Sequence, residues 1–385
     1  MRGAQDVRHE RASVPEAVRT VISRLTVSCR FAARVGAKRS LSRHGCRRAY
    51  EKAAPGKQPH RRQHMKVATR LIAGMLVGAA LTVAASVSFA GDKQITLGFS
   101  QVGAESAWRT ANTVSVKTSA KDAGINLKFS DAQQKQENQI KAIRSFIAQK
   151  VDVIAFSPVV ESGWEPVLTE AKNAKIPVIL TDRSIDVKDK SLYVTMIGSD
   201  FLEEGRRAGK WLEERYKDDK GPINIAELQG TVGSAPANDR HAGLIEVIKN
   251  DPKFKIIASQ SGDFTLAGGK QVMEAFAKTY GKQINVVYAH NDDMALGAIQ
   301  AMEEAGIKPG KDVSVVSFDA TKGGFEAMIA GKINVDVECS PLLGPQLMTA
   351  VKDVVAGKQL PKRIVTDETV FPMNVAAQIL PQRKY

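Results

Sequence analysis

The chain has 385 residues, 43% of them apolar and 25% charged, which is enough for two ordinary domains and excludes a disordered or disulfide-stapled chain. Its 55 basic and 41 acidic side chains give a net charge of +14, a surplus that ordinarily points to nucleic acid or an anionic membrane. The location of that surplus excludes both for the globular part: residues 1 to 64 hold 16 basic and 4 acidic side chains, and residues 65 to 90 add Lys66 and Arg70. That leaves 37 of each sign from Gly91 to Tyr385.

Residues 1 to 64 carry no sustained helical or strand periodicity and suit a disordered, non-native basic extension. Met65 to Arg70 is a cationic start, Leu71 to Ala90 follows without a charge, and Ser88-Phe89-Ala90 places small residues at the last and third-last positions. That is the pattern of a cleaved signal peptide over 65–90, with synthesis beginning at Met65; its rival is an uncleaved membrane anchor. Beyond Gly91 only Cys339 remains, so the mature chain forms no internal disulfide, and a domain of this size needs none after export.

In chain order, β-branched runs recur as ITLGFS from Ile95, INLKFS from Ile125, VDVIAFS from Val151, IPVILTD from Ile176 and SLYVTMI from Ser191. Between them the pattern turns helical, as over Gln134 to Lys150, where Ile140, Ile143 and Ile147 share a face beside Phe146. A second series runs INIAEL from Ile223, KIIASQ from Lys255, INVVYAH from Ile284, VSVVSFD from Val313 and, after a short helix near Phe325 to Ala330, INVDVE from Ile333. The first four starts in each series lie 25 to 32 residues apart, the length of a strand, a crossover helix and two loops. The expectation is α/β: two lobes, each a parallel sheet of five or six strands flanked by helices, with ligand-binding groups at the carboxyl ends of the strands.

Those ends are polar. After the first strand come Gln101, Glu105, Trp108 and Arg109; after the fourth, Asp182 and Arg183; in the second series, Arg240 after a Gly-rich turn, Asn291 beside Asp292 and Asp293, and Asp319. Carboxylates accept from a sugar hydroxyl while guanidinium and amide groups donate to it, and an aromatic ring packs on the C–H face, a role for Trp108 and less securely Trp164. Each has a plainer alternative: an Asp182–Arg183 ion pair, a helix cap at Asn291 or Asp292, a turn at Asp319, packing for Trp164. The chain lacks G-x-G-x-x-G after a strand, a P-loop, H-E-x-x-H and a nucleophile elbow. His241 and His290 have no metal spacing, so no cofactor, metal or catalytic residue is expected, and His290 is expected to be structural.

The stretches LGFSQVGAESAWR (from Leu97), DAQQKQENQIKAIRSF (from Asp131), SGWEPVLTEAK (from Ser162), TDRSIDVKDKSLY (from Thr181), ELQGTVGSA (from Glu227), SQSGDFT (from Ser259) and YAHNDDMALGAIQA (from Tyr288) are together similar to the periplasmic sugar-binding family of ABC importers. That family includes ribose-, galactose- and galactofuranose-binding proteins, and the last resemble this chain most. The resemblance implies a periplasmic-binding-protein type I fold with a three-segment hinge, lobes over 91–199 plus 340–367 and 200–339 plus 368–385, and sugar trapped as the lobes close. It implies sugar contacts from Glu105, Arg109, Asp182, Arg183, Arg240, Asn291 and Asp319. It also implies a monomer that delivers a monosaccharide, galactofuranose foremost, to a permease and its ATPase. Ala320 stands where the family usually has Gly, and Cys339-Ser340 where ribose binders place a Gln. The alternative is a regulator of the lactose-repressor type, with residues 1 to 64 as a DNA-binding headpiece; a sugar-converting enzyme lacks an acid/base pair.

Overall fold

The computed structural model describes residues 93–385, so the upstream extension and the leader lie outside the described residues. From the amino end run β1 (Thr96–Gln101), α1 (Ala107–Asp122), β2 (Asn126–Asp131), α2 (Gln136–Ala148), β3 (Val153–Phe156), α3 (Glu165–Asn173), β4 (Val178–Thr181), β5 (Thr195–Gly198) and α4 (Phe201–Arg215). The second series is β6 (Ile223–Gln229), α5 (Ala235–Ile248), β7 (Phe254–Ser261), α6 (Leu266–Tyr280), β8 (Val286–Ala289), α7 (Asp292–Glu304), β9 (Ser314–Asp319), α8 (Lys322–Ile329) and β10 (Val335–Glu338). The chain closes with α9 (Gly344–Val355), β11 (Arg363–Val365), β12 (Val370–Pro372) and the single turn α10 (Ala376–Ile379).

These form two six-stranded sheets of matching order, β11-β5-β4-β3-β1-β2 and β12-β10-β9-β8-β6-β7, parallel throughout except that β12 runs antiparallel to β10. All ten strands read from the sequence are present. Strands β3, β4 and β8 are buried along their whole length, as β-branched runs covered on both faces must be. The run from Ser191 is strand only from Thr195, because the Asp189 side chain accepts from the Ser191 amide and starts a single 3-10 turn. Separate apolar clusters fill the two faces of each sheet, one around Ile154, Leu168 and Leu180 and its counterpart around Leu97, Ile179 and Leu347.

In both sheets the chain leaves the first strand toward one side and returns on the other, so β1/β3 and β6/β8 are the points where strand order reverses and a crevice opens at the carboxyl ends. The chain passes between the sheets three times, after β5, after β10 and between β11 and β12. The Glu368 carboxylate ties the crossings together: its Oε1 accepts from Ser199 Oγ (2.6 Å), the Ser340 amide (2.7 Å) and Thr366 Oγ1 (2.8 Å).

Candidate functional site

All eight residues singled out from the sequence, Glu105, Trp108, Arg109, Asp182, Arg183, Arg240, Asn291 and Asp319, line one cleft between the two sheets. Ser106, Phe201, Pro236, Phe264 and Cys339 complete its lining.

On the first sheet's side, Ser106 caps α1 by accepting from the Arg109 amide, which places Glu105 and Arg109 one turn apart. Arg109 Nε donates to Glu105 Oε1 (3.0 Å), and its Nη1 reaches Asp182 Oδ2 (2.8 Å), Gln101 Oε1 (3.2 Å) and Ser157 Oγ (3.3 Å). Burial disfavours its charge, but Asp182 and Glu105 outweigh burial and hold the guanidinium above its ordinary range. Asp182 sits just past β4 at φ 63° and also accepts from Ser157 Oγ (2.8 Å).

The plainer alternative, an Asp182–Arg183 ion pair, is present but is the looser of the two that Asp182 makes. Arg183 Nε lies 3.7 Å from Asp182 Oδ2, beyond hydrogen-bond reach, while Arg109 takes that oxygen. Arg183 donates through Nη1 to the Val159 carbonyl (3.1 Å) and lies 5.2 Å over the Phe264 ring from the opposite sheet. Burial and then repulsion by Arg109 lower its pKa to about 10. Two buried polar atoms on this wall have no hydrogen-bond partner among the described residues: Arg183 Nε and Glu105 Oε2.

On the second sheet's side, Arg240 projects from α5. Its Nε donates to Glu204 Oε2 (2.7 Å), Nη1 donates to the His290 carbonyl, and Nη2 lies 3.6 Å from Asp319 Oδ1. Asn291 does two jobs: its Oδ1 caps α7 by accepting from the Met294 amide (3.0 Å), its Nδ2 donates to the Phe264 carbonyl (3.1 Å), and it still lines the cleft. Burial pushes the Asp319 carboxyl well above its usual range, with Arg240 only partly opposing, and burial likewise raises Glu204 to about 8.

Trp108 lies under the cleft, its Nε1 donating to the Cys339 carbonyl across the lobes (2.7 Å), in a small apolar cluster with Phe201, Ala235 and Cys339. Trp164 belongs to the core instead: it packs 4.8 Å from Phe156, donates to the Val160 carbonyl and lines no part of the cleft. Its place in the sequence, a few residues after a strand, is the same as that of Trp108; the difference is that α3 turns its ring under the sheet. His290 is fully buried with Nε2 at 3.1 Å from Glu227 Oε1, the structural role expected of it.

Sequence reasoning passed over two rings of the lining, Phe201 and Phe264. Both follow a strand, and the signal that could have found them is an aromatic at the same offset as the polar residues. Phe264 is held by Gly230, where an added Cβ would lie 1.9 Å from the ring, so only glycine admits it.

The cleft is shut. Across its mouth the Glu161 amide donates to the Gly233 carbonyl (2.9 Å), Asn238 Nδ2 to Glu161 Oε2 (2.7 Å) and the Ala107 amide to Asp293 Oδ2 (3.1 Å). At the crossings, Glu204, Cys339 and Glu368 bring metal-type donor atoms within 4.8 Å of one another. Arg240 Nε takes Glu204 Oε2, and Glu368 Oε1 already accepts from three hydroxyl and amide donors, so two of these donor atoms are engaged within the protein.

Comparison with known proteins gives the family of the chain. Residues 97–359 match the family described as periplasmic binding protein domain. The chain is 50% identical over 313 residues to the galactofuranose-binding protein YtfQ of Escherichia coli K12, covering 80% of this chain and 98% of that protein. A solved structure from Mycobacterium smegmatis in complex with β-D-fucofuranose is 58% identical, with a TM-score of 0.74, covering 76% of this chain and 95% of that one. The binding protein of the arabinose ABC transporter of Shewanella sp. ANA-3, bound to α- and β-L-arabinofuranose, is 54% identical, with a TM-score of 0.72 over 75% of this chain and 95% of its own.

Proposed function

The chain belongs to the periplasmic binding protein family, and on that premise we propose that it captures one monosaccharide in its furanose form, galactofuranose foremost, for delivery to an ABC permease and its ATPase. The observation that carries this reading is a pair of buried atoms without hydrogen-bond partners, Arg183 Nε and Glu105 Oε2, on the wall of a shut cleft lined by polar and aromatic side chains. A buried donor and a buried acceptor left without partners cost about 1–3 kcal/mol each, and one hydroxyl-rich ligand satisfies both. On the opposite wall burial favours the protonated form of Asp319, which both donates and accepts as a sugar hydroxyl does, and Asn291 Nδ2 retains one free hydrogen. Trp108, Phe201 and Phe264 offer apolar surface to the C–H face. Three relatives whose sugars are furanoses support the ring form: galactofuranose, fucofuranose and arabinofuranose.

Under this reading the protein works in the periplasm as a monomer, without chemistry on the sugar and without nucleic acid, exported by the leader over 65–90. Closure excludes water and strengthens each polar contact, and the two lobes then present one joint surface to the permease. Calorimetry with D-galactose, L-arabinose, D-ribose and D-glucose tests it. Tight 1:1 binding is expected for sugars that populate a furanose ring, and silence across the panel overturns the reading.

A further inference from the structure

Asp319, read above as a sugar contact, ends β9 in an unusual way. It has φ 105° and the next residue, Ala320, has φ 54°, two successive non-glycine residues in the left-handed region and both buried. Such conformations cost on the order of 1–3 kcal/mol each and persist only where the surroundings hold them. The surroundings here are two carboxyl groups that no part of the cleft uses. Asp336 Oδ1 on β10 accepts from the Ala320 amide (3.0 Å). Asp292 at the start of α7 accepts from the Thr321 amide (2.8 Å), Thr321 Oγ1 (2.6 Å) and Ser317 Oγ (2.5 Å).

Both groups are completely buried, and their Oδ2 atoms converge on Gly324, where an added Cβ would lie 2.3 Å from Asp292 Oδ2 and 2.6 Å from Asp336 Oδ2. Two carboxylates this close in an apolar interior do not both ionise. Three donors favour the charge on Asp292, whereas Asp336 Oδ2 has no partner among the described residues. A proton on Asp336 Oδ2, donated to Asp292, satisfies every oxygen of the pair.

We propose that Asp336 and Asp292 are positioning residues, a proton-sharing acid pair that locks the 319–320 turn and so aims the Asp319 carboxyl into the cleft. Burial raises both groups, Asp336 well above the usual carboxylate range, in keeping with a retained proton. Arg383 Nε donates to the Ala320 carbonyl (3.0 Å) and braces the turn from the far side. This inference rests on the reading of Asp319 as a ligand group.

The test uses conservative rescue. Asp336→Asn keeps an acceptor for the Ala320 amide and supplies an N–H toward Asp292, so its affinity for L-arabinose and D-galactose stays within about twofold of wild type. Asp336→Ala loses about tenfold, the equivalent of one buried hydrogen bond. Asp292→Asn costs more than Asp336→Asn, because it puts a donor where the Thr321 amide already donates. Without sugar, amide exchange at Ala320 and Thr321 quickens in Asp336→Ala and not in Asp336→Asn. Equal exchange in wild type and Asp336→Ala, or an Asp336→Asn affinity as low as that of Asp336→Ala, overturns the pair. Failure of the wild type to bind any sugar overturns the premise instead, and leaves the exchange measurement to decide the turn.

Discussion

The two walls of the cleft solve charge burial differently. On the first, two guanidiniums, Arg109 and Arg183, stand against Glu105 and Asp182, and the charges balance. On the second, Arg240 alone stands against Glu204 and Asp319, with Asp292, Asp293 and Asp336 behind them, and burial drives protons onto the surplus acids. Under the proposed reading, the first wall meets the sugar with paired guanidiniums and carboxylates, and the second with Arg240, Asn291 and an Asp319 carboxyl whose burial favours its protonated form.

The largest expected effect breaks the first wall. Arg109→Met leaves Glu105 and Asp182 buried without their shared cation and should destabilise the protein by about 3–5 kcal/mol in urea unfolding. Arg240→Met should cost less, because Glu204 and Asp319 are neutralised by protons they are already disposed to hold. The sign follows: acids raised in the folded state favour folding at low pH, so wild type and Arg240→Met lose stability in parallel up to about pH 8, and the deficit of the variant grows above about 8, where Glu204 ionises beside Arg240 in wild type only. Equal deficits at every pH would erase the distinction between the walls.

Next comes Arg183→Ala, expected to weaken sugar binding by about 1.5–3 kcal/mol with little change in stability, since the residue donates one hydrogen bond within the protein and its Nε makes only a loose 3.7 Å ion-pair contact with Asp182. Calorimetry beside thermal unfolding separates the two; lost stability at unchanged affinity would make it structural. Trp108→Phe keeps an apolar ring but removes the Nε1 bond to the Cys339 carbonyl across the lobes, about 1 kcal/mol, and should appear mainly as faster sugar release in stopped-flow fluorescence.

The smallest effect is a pH dependence of closure. Burial, above all, raises Asp293, which faces the Ala107 amide, and Asp239, which faces Glu161, to about 6. Opening returns them toward about 3.9, so the closed form takes up protons, and affinity should rise as pH falls from about 6 toward 4 and be level above about 7. Asp293→Asn should flatten part of that slope.

Much of this was legible in the sequence, for physical reasons that also mark where legibility ends. The β-branched runs at crossover spacing specify ten strands, because a strand buried on both faces must be continuously apolar. Strands β11 and β12 are three residues each, and exposed side chains on β11 leave no run to see. The polar residues after strands were readable one at a time, since fold topology gathers strand ends at one crevice. Their partners were not: Glu204 lies inside α4 among charges that read as a solvated face, yet it is buried against Arg240. Asp336 alternates with Val335 and Val337 as a solvent-facing residue would, yet it is wholly buried. Burial of a charge depends on which helix covers that face, and local periodicity does not carry that information.

The most direct test is a crystal structure of the protein grown with L-arabinose or D-galactose. A single furanose ring in the cleft, with hydroxyls within hydrogen-bond distance of Arg183 Nε and Glu105 Oε2, is the predicted result. Sugar bound elsewhere, or bound in the cleft with both atoms still unpartnered, would contradict it.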